Sequence, residues 1–220
     1  MAGLKIITQS NILPVTVTEL KQTLRIDPDN FDQDAELSMM LKSSIKTLEE
    51  YTGRSFITKT YDLALDTIPY YQGDRLIEGF SIGAFMDNTA NEIVFPKSPL
   101  VSVASFKYYN DSDVESTFAS SNYYVDNHSE PPRLVLRRSQ TFPDVASLRV
   151  ANAFIIRFDA GYGAAAKDVP ETIKQAINLY TSHLYENREL FNQQKQLPVP
   201  MTLGTLLQPY RVIRFGSKLG

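Results

Sequence analysis

Residues 34–66 read DAELSMMLKSSIKTLEEYTGRSFITKTYDLALD, and the spacing of their apolar residues changes part-way through. Leu37, Met40, Leu41, Ile45, Leu48 and Tyr51 recur at helical intervals, so the first part is an amphipathic helix with those residues inward. Lys42, Lys46, Glu49 and Glu50 fall between them as a solvated face. Acidic residues at its start suit the positive end of the helix dipole, and Gly53 supplies a stop. From Ser55 the period shortens, and Thr58–Asp66 alternates apolar with polar as a strand does. A helix passing directly into strand-like chain predicts an α+β fold.

Upstream, Thr16 with Glu19 three residues later has the form of a capping box, which opens a short helix carrying Leu20 and Leu24 on one face. Pro28 and the acids Asp27, Asp29, Asp32 and Asp34 separate it from the next helix. Residues 1–54 are thus expected to be a helical part. Downstream, 55–162 is expected to be an inserted β-rich domain, either an antiparallel sheet or a small sandwich. Its strand-like runs are Glu92–Phe95, Val101–Tyr109, Asn122–Asp126, Arg133–Leu136 and Ala153–Phe158. Turn signals separate them at 72–74, Pro96, Pro99, 110–113 and Pro131-Pro132. Residues 79–91 have no periodicity and read as an exposed loop.

Asp168-Val169-Pro170-Glu171 starts a last long helix, with Pro in its first turn and Ile173, Ala176, Ile177, Tyr180, Leu184 and Asn187 as its inner stripe. This segment, 163–192, is expected to pack on the N-terminal helices and complete a bundle of three main helices. Residues 193–220 are expected to be an extended C-terminal arm. They carry Pro198, Pro200 and Pro209, yet also Met201, Leu203, Leu206, Leu207, Tyr210, Val212 and Phe215. An apolar end of that kind docks on something, its own core or a neighbour.

Composition narrows the classes. Hydrophobic residues make up 43% of the 220, enough for a sizeable core. The net charge of −3 does not imply a broadly basic, nucleic-acid-binding surface. With no cysteine, disulfide scaffolds, thiolate metal sites and cysteine nucleophiles are excluded. Neither a signal-peptide pattern nor an apolar run long enough for a membrane span is present, so a soluble intracellular protein is expected.

Chemistry-bearing motifs are sparse. The histidines, His128 and His183, lie in a loop and beside a helix's apolar stripe, without the context of a nucleophile elbow. The Asp27–Asp34 acids do not fit the calcium-loop template, because Phe31 and Asp32 occupy positions that need an oxygen ligand and a glycine. Capping and solvation are the plainer role for them. Gly161-Tyr162-Gly163 lacks the remainder of a phosphate loop and reads as a turn. Arg133, Arg137 and Arg138 form the strongest basic cluster, a solvated face or a subunit contact. No cofactor, metal or catalytic constellation is expected. The abundant Tyr and Phe suit lasting protein–protein contacts.

Six segments, in this order, resemble a known family. They are 14–27 (PVTVTELKQTLRID), 48–58 (LEEYTGRSFIT), 96–108 (PKSPLVSVASFKY), 158–177 (FDAGYGAAAKDVPETIKQAI), 183–189 (HLYENRE) and 206–211 (LLQPYR). The chain resembles the bacteriophage head–tail connector, or adaptor, proteins, in the variant with a β-rich insertion between helices. That resemblance implies a non-enzymatic structural subunit of the virion neck, assembled in the host cytoplasm. It implies a homo-oligomeric ring, usually twelve-fold, bound to the portal protein on one side and to a tail-completion or tail-terminator protein on the other. DNA would pass through the channel without sequence-specific binding, and no membrane is involved. Met201, Leu203, Leu206, Leu207, Tyr210, Arg211, Val212 and Phe215 would form the portal- or neighbour-docking arm. Arg133, Arg137 and Arg138 would be inter-subunit contacts. The alternative is another neck or tail component, or a carbohydrate-binding module whose groove is lined by Tyr70, Tyr71, Phe80 and Phe85.

Overall fold

The computed structural model describes residues 2–67, 92–143, 147–187 and 201–212. They fall into two compact units, one β-rich (2–8 and 59–160) and one helical (9–58 and 161–212). The fold is α+β. The loop expected at 79–91, the aromatics Tyr70, Tyr71, Phe80 and Phe85, and Phe215 lie outside the described residues.

The helical unit starts with α1 (Val17–Leu24), whose capping box is complete. The Glu19 N–H donates to Thr16 Oγ1 at 3.2 Å, and the Thr16 N–H donates to Glu19 Oε2 at 2.6 Å, so two otherwise orphaned donors are satisfied. Next comes α2 (Asp34–Thr52), ended by Gly53 at φ 72°, a left-handed conformation that favours glycine. Leu37, Leu41, Ile45 and Leu48 turn inward from α2. α3 (Glu171–Glu186), with Pro170 at its N-cap, contributes Ile173, Ala176 and Ile177 to the same core.

Two side chains of α2 depart from the expected pattern. Tyr51, expected inside, is 46% exposed, while Glu49, expected in the solvated face, is buried. For Glu49 the cause is the chain's exit from the helix. Phe56 drives its ring into the core and carries its N–H with it, and Glu49 Oε1 accepts that N–H at 2.8 Å. A buried donor without a partner would cost about 1–3 kcal/mol, which is why a carboxylate is retained there.

Entry to and exit from the insertion run side by side. The Thr58 N–H donates to the Gly163 carbonyl at 2.9 Å. Gly161 sits at φ 150°, and a Cβ there would lie 2.5 Å from the Thr58 backbone, so this crossing requires glycine.

In the β-rich unit, five strands lie in the order β1 (Ala2–Gln9), β2 (Lys59–Leu65), β8 (Phe154–Ala160), β4 (Leu100–Tyr109), β5 (Glu115–Thr117). A second sheet has the order β3 (Glu92–Val94), β7 (Arg133–Leu136), β6 (Tyr123–Asp126). β8 pairs antiparallel with both β2 and β4, and its alternate residues Phe154, Ile156, Phe158 and Ala160 are buried. One core takes side chains from both sheets, Ile93 and Leu134 on one side and Leu63 and Phe106 on the other. Aromatic rings fill it. The Phe106 centroid lies 5.0 Å from that of Phe118 and 5.9 Å from that of Phe154, within the range of favourable ring contacts. On the outer face, Asp62 stands opposite Arg157 and accepts both of its forked donors at 2.8 Å.

β1 corrects the expectation for the N-terminus. Its residues were assigned to the helical part, and they are a strand at the edge of the five-stranded sheet. The three expected helices are joined by a fourth among the described residues. The fourth is α4 (Met201–Leu207), in the segment expected to be extended. No described helix is long and apolar enough to cross a membrane.

Candidate docking surfaces

The C-terminal segment was the leading candidate for a docking arm. Between 201 and 212 it is α4 followed by a 3-10 turn, Gln208–Tyr210. Leu203 and Leu207 lie one helical turn apart, so they share a face, and both are buried among Leu48, Ile173 and Ile177 of the same chain's helical core. Leu206 and Tyr210 are half-buried, and Tyr210 packs on that core. Backbone bonds fix the segment's far end. The Val212 N–H donates to the Thr52 carbonyl at 2.9 Å, and the buried Arg54 donates its Nε–H to the Tyr210 carbonyl. So over these residues the chain meets its own core, and Leu203 and Leu207 are not available to a neighbour. Arg211 is, being exposed with its guanidinium 5.4 Å from the centroid of the Tyr51 ring. The pair explains the outward turn of Tyr51.

The three arginines do not act as one cluster. β7 alternates, with Leu134 and Leu136 inward and Arg133, Val135 and then Arg137 along the other face. Arg133 is committed within the chain. Its Nε–H donates to Asp126 Oδ2 at 3.0 Å and its Nη1–H to Glu92 Oε2 at 3.0 Å, which clips the centre strand to both of its neighbours. Arg133 is thus paired within its own chain, with its side chain still 43% exposed. Arg137 and Arg138 are exposed, and Arg137 lies 4.0 Å over the Tyr124 ring, itself exposed on β6.

Asp126 shows how tight that clip is. The Ser129 hydroxyl, then the Arg133 guanidinium, then the N–H groups of Ser129 and His128 hold its carboxyl down at about 2. A folded-state value below that of the unfolded chain, about 3.9, means that the stabilisation is present above about pH 4 and fades as the pH falls through about 2. Replacing Arg133 with Gln should raise the Asp126 value measurably in a carboxyl-carbon NMR titration. A value that stays near its starting point would mean that Arg133 is free for other partners.

Catalytic chemistry finds little support in the geometry. His128 is exposed in a loop, and His183 lies with Nδ1 3.2 Å from Asn187 Nδ2. Among the described residues no three His, Asp or Glu converge as a metal site. A hollow of about 370 Å³ between α1 and α3 is lined by Glu19, Gln22, Glu171, Lys174 and Asn178. There Lys174 donates to Glu171 at 2.7 Å, the ordinary pairing of neighbours along a helix.

The acidic segment between α1 and α2 does surround a cation, and the cation is Lys21. Its ammonium donates to the carbonyls of Asn30 at 2.8 Å and Pro28 at 3.3 Å and pairs with Asp34 at 2.5 Å. The Phe31 ring lies 4.8 Å away. Sequence reasoning missed this, because a lysine in the last turn of a surface helix ordinarily points to solvent.

A family model, that of the phage gp6-like head–tail connector proteins, matches residues 14–130. The chain belongs to the phage gp6-like head–tail connector family. Its members are structural, and this chain is a structural head–tail connector subunit of a phage or phage-like particle. No curated protein matches the chain. Among solved structures, a chain in the neck of an empty gene transfer agent particle computed with C6 symmetry is 19% identical with a TM-score of 0.72. A chain in the neck of the native particle computed with C12 symmetry is 20% identical at 0.72, and one in the native virion is 20% identical at 0.71. Each alignment covers 98% of both chains, so the connector fold extends well beyond the matched segment, through both units.

Proposed function

We propose that this connector subunit forms a closed ring at the neck of its particle, stacked on the portal and continuing the DNA channel toward the tail. The observation that carries the reading is the full-length likeness to a chain in a neck computed with twelve-fold symmetry. Twelve copies is the corresponding expectation here. On the tail side the ring offers a platform to a tail-completion or tail-terminator protein, and assembly takes place in the host cytoplasm. The work done is mechanical and no reaction is catalysed.

Physical features agree with such a part. Weak contacts made by each subunit become strong when a ring closes, because the last contacts are intramolecular. A net charge of −3 suits a conduit through which DNA slides, since tight phosphate binding draws on clustered Lys and Arg. The arginines nearest to forming such a patch are partly used internally, Arg133 by Asp126 and Glu92. Arg211 beside Tyr51, near the end of the packed C-terminal segment, is exposed and charged, as a residue that meets a portal would be.

Mixing the purified full chain with purified portal rings tests this. Electron microscopy should show a second ring stacked on the portal with matching copy number. A chain that remains monomeric and leaves the portal bare would overturn the proposal.

A further inference from the structure

Two charged surfaces of this chain are left unbalanced, and they carry opposite signs. The first is the loop between α1 and α2. Lys21 pairs with Asp34, but Asp27, Asp29 and Asp32 meet no cation among the described residues. Between Asp29 and Asp32 stands Phe31, which is 69% exposed. The loop holds it out. The Asn30 N–H donates to the Asp27 carbonyl at 3.1 Å and the Asp34 N–H to the Phe31 carbonyl at 3.2 Å, while the Lys21 ammonium binds the carbonyls of Pro28 and Asn30. A ring displayed on a loop fastened from within has little freedom left to lose when a partner covers it.

The second surface is the outer face of the three-stranded sheet. Register sets Tyr124 opposite Val135 there, and Arg137 follows on the same side. The acids of this face, Glu92 and Asp126, are both held by Arg133. Neither Arg137 nor Arg138 is bonded to an acid among the described residues, and both are exposed. Tyr124, with Arg137 over its ring, is 52% exposed. Tyrosine and arginine are the side chains that most often anchor a protein interface.

Copies related by rotation meet through two unlike surfaces, so each subunit of a ring carries both halves of the contact. Here one half lies in the helical unit and the other in the β-rich unit. Each supplies what the other lacks, carboxylates for guanidinium groups and an aromatic ring for an aromatic ring. We propose that Phe31, with Asp29 and Asp32 beside it, seats on Tyr124, Arg137 and Arg138 of the next copy of this chain. This rests on the ring reading above. The division of labour is physical. An exposed ion pair contributes little, and it strengthens when a ring beside it keeps water out. The charges select the partner and its register, and the aromatic contact holds it.

The test exchanges the charges in the full-length chain and reads ring formation on purified portal. Arg137→Glu/Arg138→Glu and Asp29→Lys/Asp32→Lys should each weaken assembly by about tenfold or more, the scale of one interface hot spot. The chain carrying all four changes should recover most of that loss. Reversed chains that assemble as wild type does, or a fourfold variant no better than either pair, would overturn the inference. A photo-crosslinker, Phe31→p-benzoylphenylalanine, decides the matter even if a reversed chain fails to fold. Particles are built from an equal mixture of unlabelled and ¹⁵N-labelled subunits that both carry it. Irradiation should join a labelled peptide containing position 31 to an unlabelled one containing Tyr124, in a product of twice the subunit mass. Crosslinks to the portal, to a tail protein or to another part of this chain, or none, in particles whose necks contain the subunit, would overturn the inference and leave the ring reading standing. Necks that lack the subunit would overturn the ring reading itself.

Discussion

Leu207→Ala should lower the stability of the free subunit by about 2–5 kcal/mol, the usual cost of emptying a fully buried leucine site. Arg211→Ala, four residues on, should lower it by less than about 1 kcal/mol, the scale of an exposed cation–ring contact. Urea denaturation of the isolated chain checks both. The contrast follows from where the two side chains lie. Leu207 is fully buried in the helical core, while Arg211 is exposed against Tyr51. A free docking arm would give the opposite result, with Leu207→Ala leaving the free subunit as stable as wild type and failing only when it meets its partner. A portal-attachment assay completes the pair. There the Arg211 variant, stable by itself, should show the larger specific loss if the C-terminal end is read by the portal. The helical unit thus uses residues 201–212 twice, the apolar side to close its own core and the polar end to face outward.

What was legible in the sequence follows burial. α2, β2, β4, β7 and β8 each bury a single face, so their periods are written in their apolar residues, and the α+β class and the alternation of helical and strand-like regions could be read directly. β1 has no buried face. Leu4, Ile6 and Ile7 keep neither the strand nor the helix period, and nothing local marks them as a strand. β5 is similarly silent, since Glu115-Ser116-Thr117 has no apolar residue. It is placed by the preceding turn, where Asn110 Oδ1 accepts from the N–H groups of Ser112 at 3.0 Å and Val114 at 2.8 Å, folding the chain back on β4. The greasy C-terminus announced that it must dock. Whether on its own core or on a neighbour is a tertiary question, and composition carries no answer to it. The arginines were visible as charges, but the acids that hold Arg133 come from separate strands, Glu92 forty-one residues away, so the pairing emerges only with the register of β3, β7 and β6.

Lys21→Met should cost about 2–3 kcal/mol and open the connection between α1 and α2. The substitution keeps most of the apolar stem and removes the ammonium, so the loss measures the charge and not the packing. Lys21 is buried, and its ammonium donates to the carbonyls of Pro28 and Asn30 and forms an ion pair with Asp34. Breaking a buried ion pair ordinarily costs about 3–5 kcal/mol. The Asp34 side chain here is 37% exposed and the loop lies at the surface, so water can replace part of what is lost. Lys21→Arg should not restore stability, because a planar guanidinium fork cannot aim at three oxygens converging on a point. Hydrogen exchange should locate the effect, with faster exchange over 26–33 and little change in the β-rich unit. Equal exchange in the variant and wild type would show that the Asx-type bonds, Asp29 N–H to Asp27 Oδ1 at 3.0 Å and Asp32 N–H to Asn30 Oδ1 at 3.1 Å, hold the loop unaided. Asp27 and Asn30 then would hold the turn alone. With the lysine in place, that turn is wrapped around a cation that the chain itself supplies.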